Sequence, residues 1–239
     1  EAEKNLADAY LELRLLPEAI ALYTPLVHTL SSQDAGATLP WAQVQLARAL
    51  ALGGQPGAAL QRLAEAAQGF EQQDNAAGRA TVCAVQAELR GAAGQFQAAL
   101  ALALQAQAGF AAAGLPAHAA AARVQAAAAH TGSGSADQAL ADCRSLLADA
   151  QVPPQVGTRA RVELARALLA LQRTDEGRDA LEAAIDALED QRAALPGDDL
   201  RRAFLADASW PYRQRLQLAL DEAEAQSDGA AQVLHWLER

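Results

Sequence analysis

Small and apolar residues recur along this chain at steps of 40. Leu6-Ala7-Asp8-Ala9-Tyr10 aligns with Leu46-Ala47-Arg48-Ala49-Leu50, and Pro17-Glu18-Ala19-Ile20 with Gly57-Ala58-Ala59-Leu60. One series, Ala7, Ala47, Ala87 and Ala127, runs 12 residues ahead of a second, Ala19, Ala59, Ala99 and Ala139. Gly69-Phe70 and Gly109-Phe110 keep the same offset. A fifth unit follows on a shorter step. Leu164-Ala165-Arg166-Ala167-Leu168 repeats the second unit almost letter for letter, and Gly177 stands 38 beyond Ala139. A fixed period of this length is the mark of a repeat architecture.

Each unit reads as a helical hairpin. Turn residues gather at 15–17, 53–56, 91–94, 131–134 and 173–175. The spacing predicts first helices over about 2–14, 40–52, 77–90, 117–130 and 157–172. Second helices follow over about 17–31, 56–73, 95–113, 136–149 and 175–194. Pro17 and Pro56 fall where a first-turn proline is tolerated. The repeats then divide into 1–35, 36–75, 76–114, 115–153 and 154–195. Residues 196–239 differ: a short helix over 200–208, another opened by Pro211 and running to about 226, and the start of a third over 230–239.

The small residues let two helices cross closely. Ala7 is expected to face Ala19, and Ala47 to face Ala59, with Leu6, Tyr10, Tyr23, Leu46, Leu50 and Leu63 filling the space around them. The same arithmetic gives packing roles to Ala87, Ala99, Ala127, Ala139, Cys143, Ala165, Leu168 and Gly177. A small and a large residue in the first helix, then a small residue opening the second with a large one a turn later, resembles the tetratricopeptide (TPR) repeat. Tyr10, Ala19 and Tyr23 fit it closely; the third and fourth units fit more loosely, with Arg90 and His130 where a large apolar residue is usual. The resemblance implies an all-α, right-handed α-solenoid of about five to six TPR-like hairpins. At 40 residues its units are longer than the TPR norm of about 34.

The end of the chain carries a second resemblance. Residues 181–189, Leu200-Arg201-Arg202-Ala203-Phe204-Leu205-Ala206-Asp207, Tyr212 and Trp236-Leu237-Glu238-Arg239 are similar to the last repeats before a CHAT domain, a caspase-like cysteine peptidase domain of bacterial proteins. Ala208-Ser209-Trp210-Pro211 departs from that pattern. The resemblance implies a regulatory array, with a downstream domain of the same chain as its partner and any catalytic His and Cys beyond Arg239. The chain begins at Glu1 and contains no Met, and reads as part of a longer protein. A TPR module of another bacterial signalling or transcription regulator is the alternative.

Composition supports the helical reading. Hydrophobic residues make up 51% of the chain, much of it alanine, and aromatics only 4%, which suits helices rather than strands. The net charge of −10 argues against nucleic acid as a partner, because phosphate binding needs a basic surface. No uninterrupted apolar run reaches the roughly 18 residues of a membrane span, and no signal peptide opens the chain. With two cysteines outside any metal-ligand spacing, a reduced, cytoplasmic setting is expected.

Candidate chemistry is sparse. Cys83 and Cys143 both fall in the apolar phase of their helices and are expected in the core. His28, His118, His130 and His235 show no i, i+4 pairing of the kind a metal site uses. The reading is a protein-interaction scaffold and not an enzyme, with no cofactor or metal; an intrinsic activity would need a deep polar pocket around a perturbed acid or thiol. In a TPR superhelix the first helices line a concave groove for a protein or peptide partner. Carried over, that geometry gives Trp41, Val44, Arg48 and Leu52, then Glu88, then Val124, then Arg159, Val162, Arg166 and Leu169. Trp41 is the leading anchor candidate. A homodimer through exposed terminal repeats, at 230–239, is a further expectation.

Overall fold

The computed structural model describes residues 2–33 and 36–225. These residues hold eleven α-helices and no strand. The chain divides into two compact units, Glu1–Ser135 and Ala136–Arg239. The first contains α1 (Ala2–Glu12), α2 (Leu16–Ser32), α3 (Leu39–Leu52), α4 (Pro56–Gln72), α5 (Ala76–Ala92), α6 (Phe96–Ala112) and α7 (Pro116–Gly132). The second contains α8 (Ala136–Ala148), α9 (Pro154–Ala170), α10 (Thr174–Ala194) and α11 (Asp198–Ala225).

The 40-residue unit is made of two nearly equal halves. Helices α4 to α7 are each 17 residues long and start 20 apart. Three residues turn the chain each time, the middle one in the left-handed region: Gly54, Asp74, Gly94, Gly114 and Gly134. Each turn repeats one hydrogen-bond pair. At Gly54 the Gln55 N–H reaches the Leu50 carbonyl at 2.8 Å and the Gly54 N–H reaches Ala51 at 3.1 Å. This is the Schellman arrangement, which satisfies the last carbonyls of the helix. Arg14 and Gln172 take the same left-handed backbone at the first and last hairpin turns, with φ of 60° and 61°. The first helix accordingly stops at Glu12, two residues before its expected end.

Close approach within a hairpin depends on the small residues. Ala7, Ala19, Ala47, Ala59, Ala87 and Ala99 are buried in the first unit, and Ala139, Cys143, Ala165, Leu168 and Gly177 in the second. Ala127, Leu50, Leu63 and Tyr23 are buried as well, and Tyr10 is half-buried. At the far end of the second hairpin a Cβ on Gly69 would lie 2.5 Å from Pro40 Cγ; 40 residues on, a Cβ on Gly109 would lie 2.9 Å from Ala80 Cβ. Successive hairpins are joined by larger side chains. Phe70 of α4 is fully buried, and its ring sits where a Cβ on Gly78 of α5 would be.

Three expectations change here. Leu6 does not fill the first hairpin; it is exposed, because it points to the side of α1 that no described helix covers. Cys83 is half-buried rather than in the core, at the edge of a small cluster around Ala80, Ala106, Phe110 and Ala122. Residues 198–225 form one helix instead of two, with Pro211 buried inside it. An internal proline costs one backbone hydrogen bond. Here the helix lies along α10, where Tyr212 Oη donates to Glu189 Oε1 at 2.5 Å and Arg215 Nε to Glu182 Oε1 at 2.8 Å. The expected helix over 230–239, and a dimer contact through it, lie outside the described residues.

Candidate binding surface

In the first unit the odd-numbered helices lie side by side: α1 touches α3, α3 touches α5, and α5 touches α7. Polar side chains cross the joins. Gln45 Nε2 donates to Asp8 Oδ1 at 3.3 Å, and Gln125 Nε2 donates to Glu88 Oε1 at 2.7 Å. The two donors are 80 residues apart and so are the two acceptors, which places both pairs at one register of the repeat. Asp8 also receives Lys4 Nζ at 2.8 Å and the hydroxyl of fully buried Tyr23. Burial would raise the Asp8 carboxyl, but the hydrogen bonds from Lys4, Tyr23 and Gln45 and the charge of Lys4 outweigh it and hold the group below its ordinary value. Burial, and then the bond to Asp8, push the Tyr23 hydroxyl well above its own.

Between those two pairs lies Arg48, in the register of Asp8 and Glu88. Its guanidinium is exposed and takes no partner among the described residues. Trp41, Gln45, Arg48 and Leu52 fall at i, i+4, i+7 and i+11, one stripe of α3. Trp41 is 39% exposed and Leu52 48%. The Trp41 ring stands edge-on to Phe70, with centroids 4.7 Å apart, so a buried neighbour holds its orientation. Alongside, α5 and α7 offer the half-buried small residues Thr81, Ala84, Ala121 and Ala128. The stripe therefore stands beside a low, smooth surface.

Two expected groove residues are core residues. Val44 is 1% exposed and Val124 2%. One residue turns a helix by about 100°, so Val44 points into the hairpin while Gln45 points out of it.

In the second unit α9 carries the corresponding face. Arg159 is exposed and Val162 half-buried. Leu169 turns aside into the hairpin, since its Cδ2 lies 2.6 Å from where a Cβ on Gly177 would be. Arg166 lies over the ring of Trp210 on α11, 4.3 Å from the centroid, a cation–π contact. Its Nε is 3.7 Å from Glu163 Oε1. Burial raises the Glu163 carboxyl against the opposing charges of Arg166 and Arg159. Trp210 is the residue that sequence reasoning missed, because a Trp-Pro pair signals a helix boundary and here sits inside a helix. Gln45 and Gln125 were missed too, although their 80-residue spacing was readable.

Cys143 is buried. Burial pushes the Cys83 thiol up, which lowers its thiolate fraction; Gln105 Oε1 lies 3.8 Å from its sulfur. No group of three His, Cys, Asp or Glu among the described residues is placed to hold a metal ion. No described helix is long and apolar enough to cross a membrane.

Tandem antiparallel hairpins with small residues at their crossings, their first helices side by side within the first unit, define the class of this chain: it has the fold of a TPR-like α-solenoid repeat protein. Solved structures of the same kind bear this out. A single-residue variant of a putative kinesin light chain with nearly identical TPR-like repeats, from Podosopora anserina, superposes with a TM-score of 0.64 at 21% identity, over 81% of this chain and 96% of that one. The parent protein gives 0.62 at 21% identity over 80% and 95%. BtubC (BKLC) from P. vanneervenii gives 0.64 at 14% identity, over 82% of each chain. No protein-family model matches the chain, and no curated protein matches it in sequence.

Proposed function

We propose that this chain is a protein-binding scaffold whose odd-helix face takes a peptide or helical segment of a partner, anchored on α3. The observation that carries this reading is the stripe of exposed Trp41, Arg48 with no partner among the described residues, and exposed Leu52, beside a smooth surface of small residues. A partly exposed tryptophan held by a buried ring loses little entropy when covered, which is the usual character of a hot spot. The complementary segment carries two apolar residues flanking one carboxylate, the carboxylate reaching Arg48. The test is selection of peptides from a display library on the wild-type protein. The selected peptides are expected to share that pattern and to lose at least tenfold in affinity on Trp41→Ala and on Arg48→Glu. Peptides that bind both variants as they bind the wild type refute the reading.

The finer reading is a regulatory array that controls a CHAT peptidase domain in the same polypeptide, in a bacterial cytoplasm. Its support is the similarity of residues 181–239 to the segment that precedes such domains. The gene sequence downstream of the Arg239 codon tests it. A caspase-like His and Cys pair is expected; a DNA-binding helix-turn-helix there would favour the transcription-regulator alternative instead.

A further inference from the structure

The anchor stripe lies inside the first unit, since α3 has α1 on one side and α5 on the other. The polar side chains around it are engaged within the chain. Gln45 donates to Asp8 at 3.3 Å, Gln125 to Glu88 at 2.7 Å, and Thr81 Oγ1 to the Ala77 carbonyl at 2.9 Å. The other amide atom of Gln125, its Oε1, is buried. Beside these, Arg48 has no partner among the described residues, and a guanidinium donates but does not accept. The main chain of this face is helical, so its own N–H and C=O groups are bonded along α3, α5 and α7. An extended segment lying here would bring one donor and one acceptor per residue to side chains already taken, and groups left unpaired on burial are costly. An α-helix bonds its own backbone except at its ends. It also needs small residues beneath it to approach closely, and Thr81, Ala84, Ala121 and Ala128 supply them.

Resting on the reading of α3 as the anchor, we propose that the partner segment is an amphipathic α-helix laid along α3, not an extended peptide. Trp41, Arg48 and Leu52 stand on one stripe, about 16 Å from first to last at 1.5 Å per residue. A helix that meets all three repeats their intervals: two apolar residues 11 apart, with a carboxylate seven from one and four from the other. An extended segment spans the same length in about five residues, so the two conformations demand different sequences. The carboxylate complements Arg48, a cation with no acid of its own. Leu52 and the Trp41 ring, held edge-on to Phe70, receive the apolar pair.

The probes are three labelled synthetic peptides of alanine, glutamine and lysine around the anchors. Two carry leucine, glutamate and leucine at the helical intervals, one in each order, and are held helical by a side-chain lactam. The third carries the same anchors at the extended spacing and is held extended by prolines. Fluorescence anisotropy with the 239-residue chain is expected to show one helical probe binding at least tenfold tighter than the extended one. Arg48→Glu and Leu52→Glu are each expected to weaken that probe at least tenfold, while Leu104→Glu, at an exposed leucine of α6, leaves it unchanged. All three variants change exposed side chains, and circular dichroism confirms that each folds. An extended probe that binds as tightly as the helical ones and still depends on Arg48 and Leu52 overturns the helical partner and leaves the α3 anchor standing. Failure of both helical probes to bind also overturns the helical partner, with the library-selected peptides then deciding the anchor. Helical binding that ignores Arg48→Glu and Leu52→Glu overturns both.

Discussion

At the scale of single residues, the Asp8 cluster ties chemistry to stability most directly. Asp8 accepts from Lys4, Tyr23 and Gln45, and so joins α1 to α2 and to α3. Removing one donor to a charged acceptor costs roughly 1.5–3 kcal/mol. Tyr23→Phe is expected to lower the urea midpoint by a corresponding amount, with the slope unchanged. The pH dependence has a defined sign. The folded-state carboxyl lies below its ordinary value, so its contribution is fully present above the unfolded value near 3.9 and is lost as pH falls through the folded one. Urea unfolding of the wild type is expected to weaken below about pH 4, and Asp8→Asn to flatten that acid limb. Val44 and Gln45 show how narrowly residue roles are set. They are neighbours in sequence, yet one is core and the other bridges two repeats, because about 100° separates them around the helix.

At the scale of elements, the 20-residue step shows what the turns require. Gly54 and Gly57 lie three residues apart with open space around both, but Gly54 has φ of +78° and Gly57 lies in the first turn of α4. The same substitution should therefore act in opposite directions. Gly54→Ala is expected to destabilise by about 1–2 kcal/mol through left-handed strain. Gly57→Ala is expected to stabilise by about 0.4–1 kcal/mol by restricting the unfolded chain. Paired urea titrations check both. Glycine punctuation made most of these turns legible in the sequence. Arg14, Asp74 and Gln172 were not legible as left-handed residues, because the Schellman bonds and the packing of the flanking helices impose that backbone on them.

At the scale of the molecule, stability in a repeat array is nearly a sum of neighbour contacts. Phe70 is one such join in the first unit: its ring fills the space above Gly78 and supports Trp41. Phe70→Ala is expected to cost about 3–5 kcal/mol. Hydrogen exchange should show the loss in α3, α4 and α5 before α7, since these helices meet at the ring.

The repeat, the hairpins and most of the packing residues were determined by the sequence, because periodic placement of small and large side chains is a local property that each unit states again. Tertiary structure decided the rest. It buried Val44 and Val124, turned Leu169 onto Gly177, exposed Leu6, carried a helix through Pro211 and set Trp210 beneath Arg166. Each of these depends on which neighbour stands across a given helix face. A period of 40 aligns residues along the chain, but only packing in three dimensions says what lies opposite them.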